Sequence, residues 1–390
     1  LTDRASTVGH DSECSILCWS SSDAMVPQYT LICPRTVTCF KFIPDNTSVI
    51  VAGLASGHLV VFDVATRRAS AVGKGESTMV QAQALTGRRG GAASAKARMA
   101  GPTAWNPALM SVTSASHSLA VSSMLVLHSS NSSFPAGTVV TGSRDGDLLF
   151  WDIRAALANS STEFEPILRV TPTGNMPGMP CPITRLELSR TTPLTFLLAT
   201  ESGNLHSVTF EGKDGTTSLY GNSVHTGAIN DLQRSPFFPD IYLTIGDWSV
   251  HVYKEGVEEP LVASGFASGA TSVARWSPTR PSVFFVGCID GNVQVWDLID
   301  KSHSPALSQK VASSGSGITT MEFMPPQAHD TSNIQMLAIG DVSGVAHVME
   351  IPHNLSYPLP NELKHTATMF EREVDRVGCA KSTAEAAAIS

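Results

Sequence analysis

No run of apolar residues in this chain of 390 approaches the roughly 20 needed to span a bilayer, so no membrane partner is expected. Basic residues are outnumbered, 26 against 34, leaving a formal charge of −8; a phosphate backbone calls for a basic surface, and nucleic acid is not expected either. The seven cysteines include no CxxC pair and no Cys/His cluster at zinc spacing, which fits buried thiols in a reducing compartment and predicts no metal. The chain opens LTDRASTVGH, with neither an initiating methionine nor a signal peptide. That reads as part of a longer cytosolic or cytoskeletal protein, so the sequons NTS, NSS and NLS carry no expectation of glycosylation. Catalytic motifs are missing too. GKGEST (73–78) lacks the GxxxxGK[ST] spacing that lets backbone amides cradle phosphate. GSRDG (142–146) is a turn rather than a GxSxG elbow. The histidines are dispersed, with no Ser/His/Asp grouping. No catalytic residue, cofactor or enzymatic activity is predicted.

What the chain does have is a repeat. TVTCFKFIPDNTSVIVAGLASGHLVVFDV (36–64) sets a pattern of alternating strand, proline turn, apolar strand, small-residue turn and a strand ending in aromatic–Asp. It recurs from 124, 183, 229, 271 and 318, with equivalent turns in the second half about 43 to 57 residues apart, close to the period of a WD-type blade. Trp151-Asp152 and Trp296-Asp297 close two copies literally. Strands this short bury both faces only when blades stack around an axis. The fold class is therefore all-β, a WD-repeat β-propeller. CSILCWSSSD (14–23) resembles the closing strand of an incomplete further blade, which makes seven.

The expected organisation is an incomplete first blade and a second blade over 14–66, a low-complexity insertion over 67–117, five blades over 118–352, and a helical extension over 357–378. The insertion is rich in Gly, Ala, Ser and Thr. It reads either as a tolerated surface loop or as a basic arm (Arg88, Arg89, Lys96, Arg98) for an acidic partner such as tubulin. In the extension, Leu363, Met369, Phe370, Val374 and Val377 fall at helical spacing, for packing on the rim or on a neighbouring chain. Asp145, Asp247 and Asp290 are expected to pin blade turns, and His225 to hydrogen-bond the turn aspartate of its own blade. Candidate partner-binding residues are Trp248, Arg144, Phe370 and Val374. Trp248 stands out because it follows Asp247 at a tight turn where glycine is usual. If Gly246 and Asp247 make the turn, Trp248 starts the outgoing strand, either covering a neighbouring blade or projecting as an interface anchor.

RSPFFPDIYLTIGDWSVHVYKEG (234–256) resembles the Ser/Asn-Pro-Phe, extended strand, Asp-Trp signature of a late blade in dynein intermediate chains. TCFKFIPDNTSVIVAGLASGHLVVFD resembles that family's early blade, and FEREVDR (370–376) its C-terminal tail. The resemblance spans roughly 14–66 and 118–377 and looks most like the inner-arm, two-headed (f-type) axonemal members. It implies a non-catalytic intermediate chain, assembled in the cytoplasm and placed on the axoneme of a cilium or flagellum. Implied partners are dynein heavy-chain tails, a second intermediate chain, light chains, and doublet-microtubule or docking proteins, with Trp248 gripping a heavy-chain helix. The N-terminal region that binds light chains in this family is not in the sequence, so that role is not assigned. The fold alone also permits a cytoplasmic or intraflagellar-transport dynein chain, or a general WD-repeat adaptor such as a ubiquitin-ligase substrate receptor.

Overall fold

The computed structural model describes residues 14–19, 27–65, 103–127, 134–159, 161–172, 181–192, 194–211, 214–220, 224–265, 269–312, 315–324 and 335–389. Its strands form seven sheets arranged as a β-propeller. Blade 2 holds Val37–Ile43, Asn46–Leu54, Leu59–Asp63 and Leu109–Ser111. Blade 3 holds Val121–Val126, Thr138–Ser143, Leu148–Asp152 and Leu168–Val170. Blade 4 holds Ile183–Leu188, Thr195–Thr200, Leu205–Glu211 and Asp214–Tyr220. Blade 5 holds Ile229–Arg234, Ile241–Gly246, Ser249–Lys254 and Val262–Ala263. Blade 6 holds Thr271–Trp276, Val283–Cys288, Asn292–Asp297 and Leu307–Lys310. Blade 7 has three strands, Ile318–Phe323, Met336–Asp341 and Ala346–Glu350. Blade 1 pairs Cys14–Cys18 with Tyr29–Cys33, and Thr103–Trp105 adds in parallel at its outer edge.

The first strands of blades 2 to 7 adjoin one another in succession, so they lie innermost. The second strands of blades 3 to 6 (TVVTGS, TFLLAT, IYLTIG, VFFVGC) are buried at all six positions. A strand sandwiched between two neighbouring sheets has no solvent face, so it reads as a continuous apolar and small-residue run rather than an alternation. The cores are therefore interblade. One joins Val61 and Val51 of blade 2 to Leu149 and Trp151 of blade 3, and another joins Ile245 and Val252 of blade 5 to Trp276, Phe284 and Trp296 of blade 6.

A second device repeats at the inner strands. Each of the six carries a register shift after its first residue, a bulge that turns the second side chain along the ring. That residue is always a small polar one: Thr38, Ser122, Thr184, Asn230, Ser272 and Thr319. Four of them donate to the first-residue carbonyl of the next blade. Thr38 reaches Val121 at 2.6 Å, Ser122 reaches Ile183 at 2.6 Å, Thr184 reaches Ile229 at 2.7 Å and Asn230 reaches Thr271 at 2.7 Å. Beside them, charges on the inner strands link blades 4 to 7. Arg185 and Arg275 bond the two oxygens of buried Asp231 at 3.1 and 2.6 Å, and Arg275 also bonds Glu322 at 3.1 Å.

Two expected boundaries change. Thr103–His117 belongs to the blades rather than to the insertion: Thr103–Trp105 and Leu109–Ser111 are strands, and His117 has a structural role described below. Strands of three residues separated by Pro107 show no alternation to read. The remainder of the insertion, including the proposed basic arm and GKGEST, lies outside the described residues. The C-terminal helix runs Glu362–Ile389, later in start and end than 357–378. Pro358 and Pro360 bar an earlier start, and Ala384, Ala386, Ala387 and Ala388 favour continuation.

Candidate partner-binding face

The tight turns between second and third strands all lie on one face of the ring, and blade 3 shows how they are braced. His117 Nδ1 lies 3.2 Å from both oxygens of Asp145, its Nε2 lies 2.9 Å from Thr141 Oγ1, and the Trp151 indole N–H donates to the same Thr141 oxygen at 2.9 Å. The Asp145 carboxylate also accepts the Ser118 and Asp147 amides. Burial pushes its pKa upward, but His117 and these amides prevail and hold it at about 2. Asp145 thus accepts bonds from its own turn and from the loop at Ser118, and Asp290 accepts from the backbone and side chain of Asn292. His117 and Thr141 escaped sequence reading, and Trp151 reads there only as the Trp-Asp end of its strand. The missed signal was a histidine just upstream of the inner strand at Val121, hidden by counting it with the insertion.

His225 takes a different arrangement from the one expected. Its ring nitrogens bond Ser249 Oγ at 2.9 Å and Thr244 Oγ1 at 3.0 Å, while the Asp247 carboxylate is engaged by Thr226 Oγ1 and the Gly227 amide, each at 2.7 Å. The reason is turn length. Gly246 pairs with Ser249, so the blade 5 turn has two residues, and Asp247 itself adopts the left-handed backbone (φ 50°) that Gly57, Gly146, Gly203, Gly291 and Gly344 supply elsewhere. The shortened turn brings Ser249 to the imidazole. Burial drives the His225 pKa down to about 3, helped by His251, whose ring stacks on it at 4.4 Å; Asp247 pulls weakly the other way. Trp248 is therefore the second turn residue rather than the start of the strand, and it stands half exposed.

The equivalent turns of blades 6 and 7 also present apolar side chains. Ile289 is 55% exposed and Val342 71%, beside Trp248 at 50%. The same turns in blades 2, 3 and 4 offer Ala55, exposed Arg144 and Glu201. The apolar turn residues thus fall together on blades 5 to 7, while the turns of blades 2 to 4 are small or charged and only the neighbouring Leu119, 51% exposed beside the blade 2 turn, is a large apolar residue among those described there.

The remaining two candidates face inward. Phe370 is 3% exposed, edge-on to Phe238 at 5.4 Å, and packed into the core shared by blades 5 and 6, with Val374 beside it. They fix the helix to the rim, Phe370 fully buried and Val374 partly so. Its start is fixed by charge: buried Glu362 receives the Arg280 guanidinium at 3.0 Å, the Ser282 hydroxyl at 2.6 Å and the Leu359 amide at 2.7 Å. Arg280 is tied in turn to Asp297 at 2.9 Å. Among the described residues no cluster of three or more His, Cys, Asp or Glu could hold a metal ion, and no helix is long and apolar enough to cross a membrane.

Seven radial sheets with a His–Asp–Thr–Trp brace and Trp-Asp strand ends define a WD-repeat β-propeller. Residues 10–214 and 216–351 match the family model described as the dynein axonemal intermediate chain 3 WD40 domain, and the chain belongs to that family. Human dynein axonemal intermediate chain 3 is 27% identical over 457 aligned residues, covering 92% of this chain and 49% of its own length. The mouse protein of that name is 43% identical over 158 residues, 40% of this chain and 16% of its own length. The 70 kDa intermediate chain of the flagellar outer arm of Chlamydomonas reinhardtii is 27% identical, covering 92% of this chain and 54% of itself. The chain spans about half the length of the two relatives that it matches along most of its own.

Proposed function

We propose that this chain is a non-catalytic intermediate chain of an inner-arm axonemal dynein, and that its ring holds the heavy-chain tail through the apolar arc of Trp248, Ile289 and Val342. The arc is the observation that carries the reading. The turns of three consecutive blades, 5 to 7, expose large apolar side chains, where the corresponding turns of blades 2 to 4 begin with small or charged residues. Turn-tip residues contribute little to a blade's own core, so apolar ones there favour a partner surface, and a Trp flanked by aliphatic residues suits the apolar face of a helix. Family membership and the axonemal, ciliary and flagellar names of the relatives support placement on the axoneme; the Asp-Trp blade signature supports the inner arm. A second intermediate chain and light chains would complete the assembly, and ATP hydrolysis would belong to the heavy chain. The match to an outer-arm chain along most of the sequence supports the outer arm as second reading.

The test is the protein composition of the complex recovered with the tagged chain from salt-extracted cilia. A pair of inner-arm heavy chains is expected, and a Trp248→Ala/Ile289→Asp double variant should lower their recovery at least tenfold while its melting temperature stays within a few degrees of wild type. Outer-arm heavy chains would favour the second reading. Cytoplasmic or transport dynein would move the location, absence of any dynein would return the chain to general adaptors, and undiminished recovery with the double variant would refute the arc.

A further inference from the structure

Between the last strand of blade 7 and the C-terminal helix the chain runs through Tyr357-Pro358-Leu359-Pro360, and every one of these residues is exposed. Tyr357 stands 40% and Leu359 53% exposed, with Leu363, at the start of the helix, at 50%. A proline bars the α region to the residue before it, so Tyr357 and Leu359 are both confined to extended backbone, while each proline ring holds its own φ near −65°. The φ of −98° and ψ of 128° at Tyr357 agree. The segment therefore runs in the manner of a polyproline II helix.

Both ends of the segment are fastened. Upstream, the short helix His353–Ser356 ends with the Tyr357 amide on the His353 carbonyl at 3.0 Å, and the His353 imidazole stacks on the Tyr357 ring with centroids 3.8 Å apart. Downstream, the Leu359 amide bonds the carboxylate of buried Glu362 at 2.7 Å, which is itself held by Arg280 and Ser282. The freedom that a loose proline-rich peptide gives up on binding is thus already lost in folding. The same bonds decide what can dock. Pro358 and Pro360 have no amide hydrogen, and those of Tyr357 and Leu359 are taken, so the segment has no N–H left to give. Pairing with a strand edge needs a donor on alternate residues and is ruled out. The segment presents carbonyl oxygens and apolar side chains, and their complement is a surface with N–H or O–H donors set in apolar area, which indole and phenol side chains supply. The charged residues of 351–370 are Glu362 and Lys364. Glu362 is spent on its buried ion pair, which leaves exposed Lys364 to set a positive local charge.

We propose that Tyr357–Pro360 is a rigid ligand for a groove lined by Trp or Tyr and rimmed by acidic residues on another polypeptide of the assembly. Aromatic-lined grooves of this kind read preformed polyproline II segments. Tyr357 and Pro360 lie three residues apart, hence on one edge of a helix with three residues per turn, and enter pockets about 9 Å from each other. Donors of the groove take the carbonyls between them, and Lys364 meets the acidic rim. This contact lies at the base of the C-terminal helix, so it is separate from the apolar turns of Trp248, Ile289 and Val342 and leaves them to their own partner.

The test uses the complex recovered with the tagged chain from salt-extracted cilia, once with the photo-cross-linker p-benzoylphenylalanine in place of Leu363 and once unmodified for hydroxyl-radical footprinting. The cross-link should reach another polypeptide at a peptide carrying Trp or Tyr together with acidic residues, and oxidation of Tyr357 and Leu359 should fall severalfold from its level in the isolated chain. Pro358→Ala/Pro360→Ala should lower the cross-link at least tenfold while the melting temperature stays within a few degrees of wild type. Leu359→Lys, which keeps both prolines, should lower it likewise and serves if the double variant loosens the helix; Lys364→Glu should lower it severalfold. Equal oxidation in the complex and in the isolated chain would overturn the proposal. So would a cross-link to a second copy of this chain or to a peptide without Trp or Tyr, or a yield indifferent to the substitutions.

Discussion

Acidification from pH 7 to pH 5 should weaken this fold through His225 by about 2 kcal/mol. The folded-state pKa is about 3 against an ordinary 6.5, because burial and the stacked His251 both disfavour the imidazolium. A depressed value means that the folded protein refuses a proton the unfolded chain accepts, so the stability is fully present above pH 6.5 and is lost as pH falls toward 3. Over the roughly 1.5 units between 6.5 and 5, at about 1.4 kcal/mol per unit, the loss is about 2 kcal/mol. It is insensitive to the exact folded value, since any value near 3 leaves the ring neutral at pH 5. Glu187 on the inner strand of blade 4 acts in the opposite sense. Burial raises its pKa to about 7 despite Arg234, Arg190 and Lys41, so lowering the pH relieves a cost there. The informative quantity is therefore the difference between wild type and His225→Gln in urea unfolding at the two pH values. The wild type should lose about 2 kcal/mol more than the variant, a differential midpoint shift of about 1 M for a slope near 2 kcal/mol/M. Parallel pH dependences in the two proteins would refute a buried neutral imidazole at this position.

Thr141→Val should destabilise the ring by about 3 kcal/mol in the same assay, because it leaves both the Trp151 indole N–H and His117 Nε2 buried without their shared partner; Thr141→Ser, which restores the hydroxyl, should recover most of it. Glu362→Gln removes one of the two carboxylates facing buried Arg280, Asp297 remaining, and should cost about 2 kcal/mol, read as earlier proteolytic cleavage within Glu362–Ile389, while the blades keep their strand signal in far-ultraviolet circular dichroism.

The parts of the fold legible in the sequence were those that recur. Six copies of one strand pattern announced the propeller, and the Asp residues of its turns sat where the pattern put them. What escaped depended on a count of one or two residues, or on a partner far along the chain. The blade 5 turn is one residue short, and that alone sends His225 to Ser249 rather than to Asp247. The strands at Thr103–Trp105 and Leu109–Ser111 are too short to show a period and find their partners across the insertion. Phe370 and Val374 had the spacing of a helix face but nothing local to say whether that face met a stranger or the ring's own rim. The bulge residues at Thr38, Ser122, Thr184 and Asn230 were present in each copy, yet a Thr or Ser at a strand's second position is unremarkable until the structure shows the carbonyl it reaches.

Those bulge residues also set the mechanics of the ring. Main-chain hydrogen bonds run chiefly outward along each blade, with isolated crossings such as the Thr271 amide to the Asp247 carbonyl at 2.9 Å and the short pairing of Glu163–Phe164 with Leu109–Ser111. A pull along the circumference is opposed instead by interdigitated side chains, by the hydroxyl and amide bridges at Thr38, Ser122, Thr184 and Asn230, and by the ion pairs from Arg185 to Glu322. The ring is in effect a hoop of stiff staves held by short polar stitches, and under tension it should part between blades before any blade unravels.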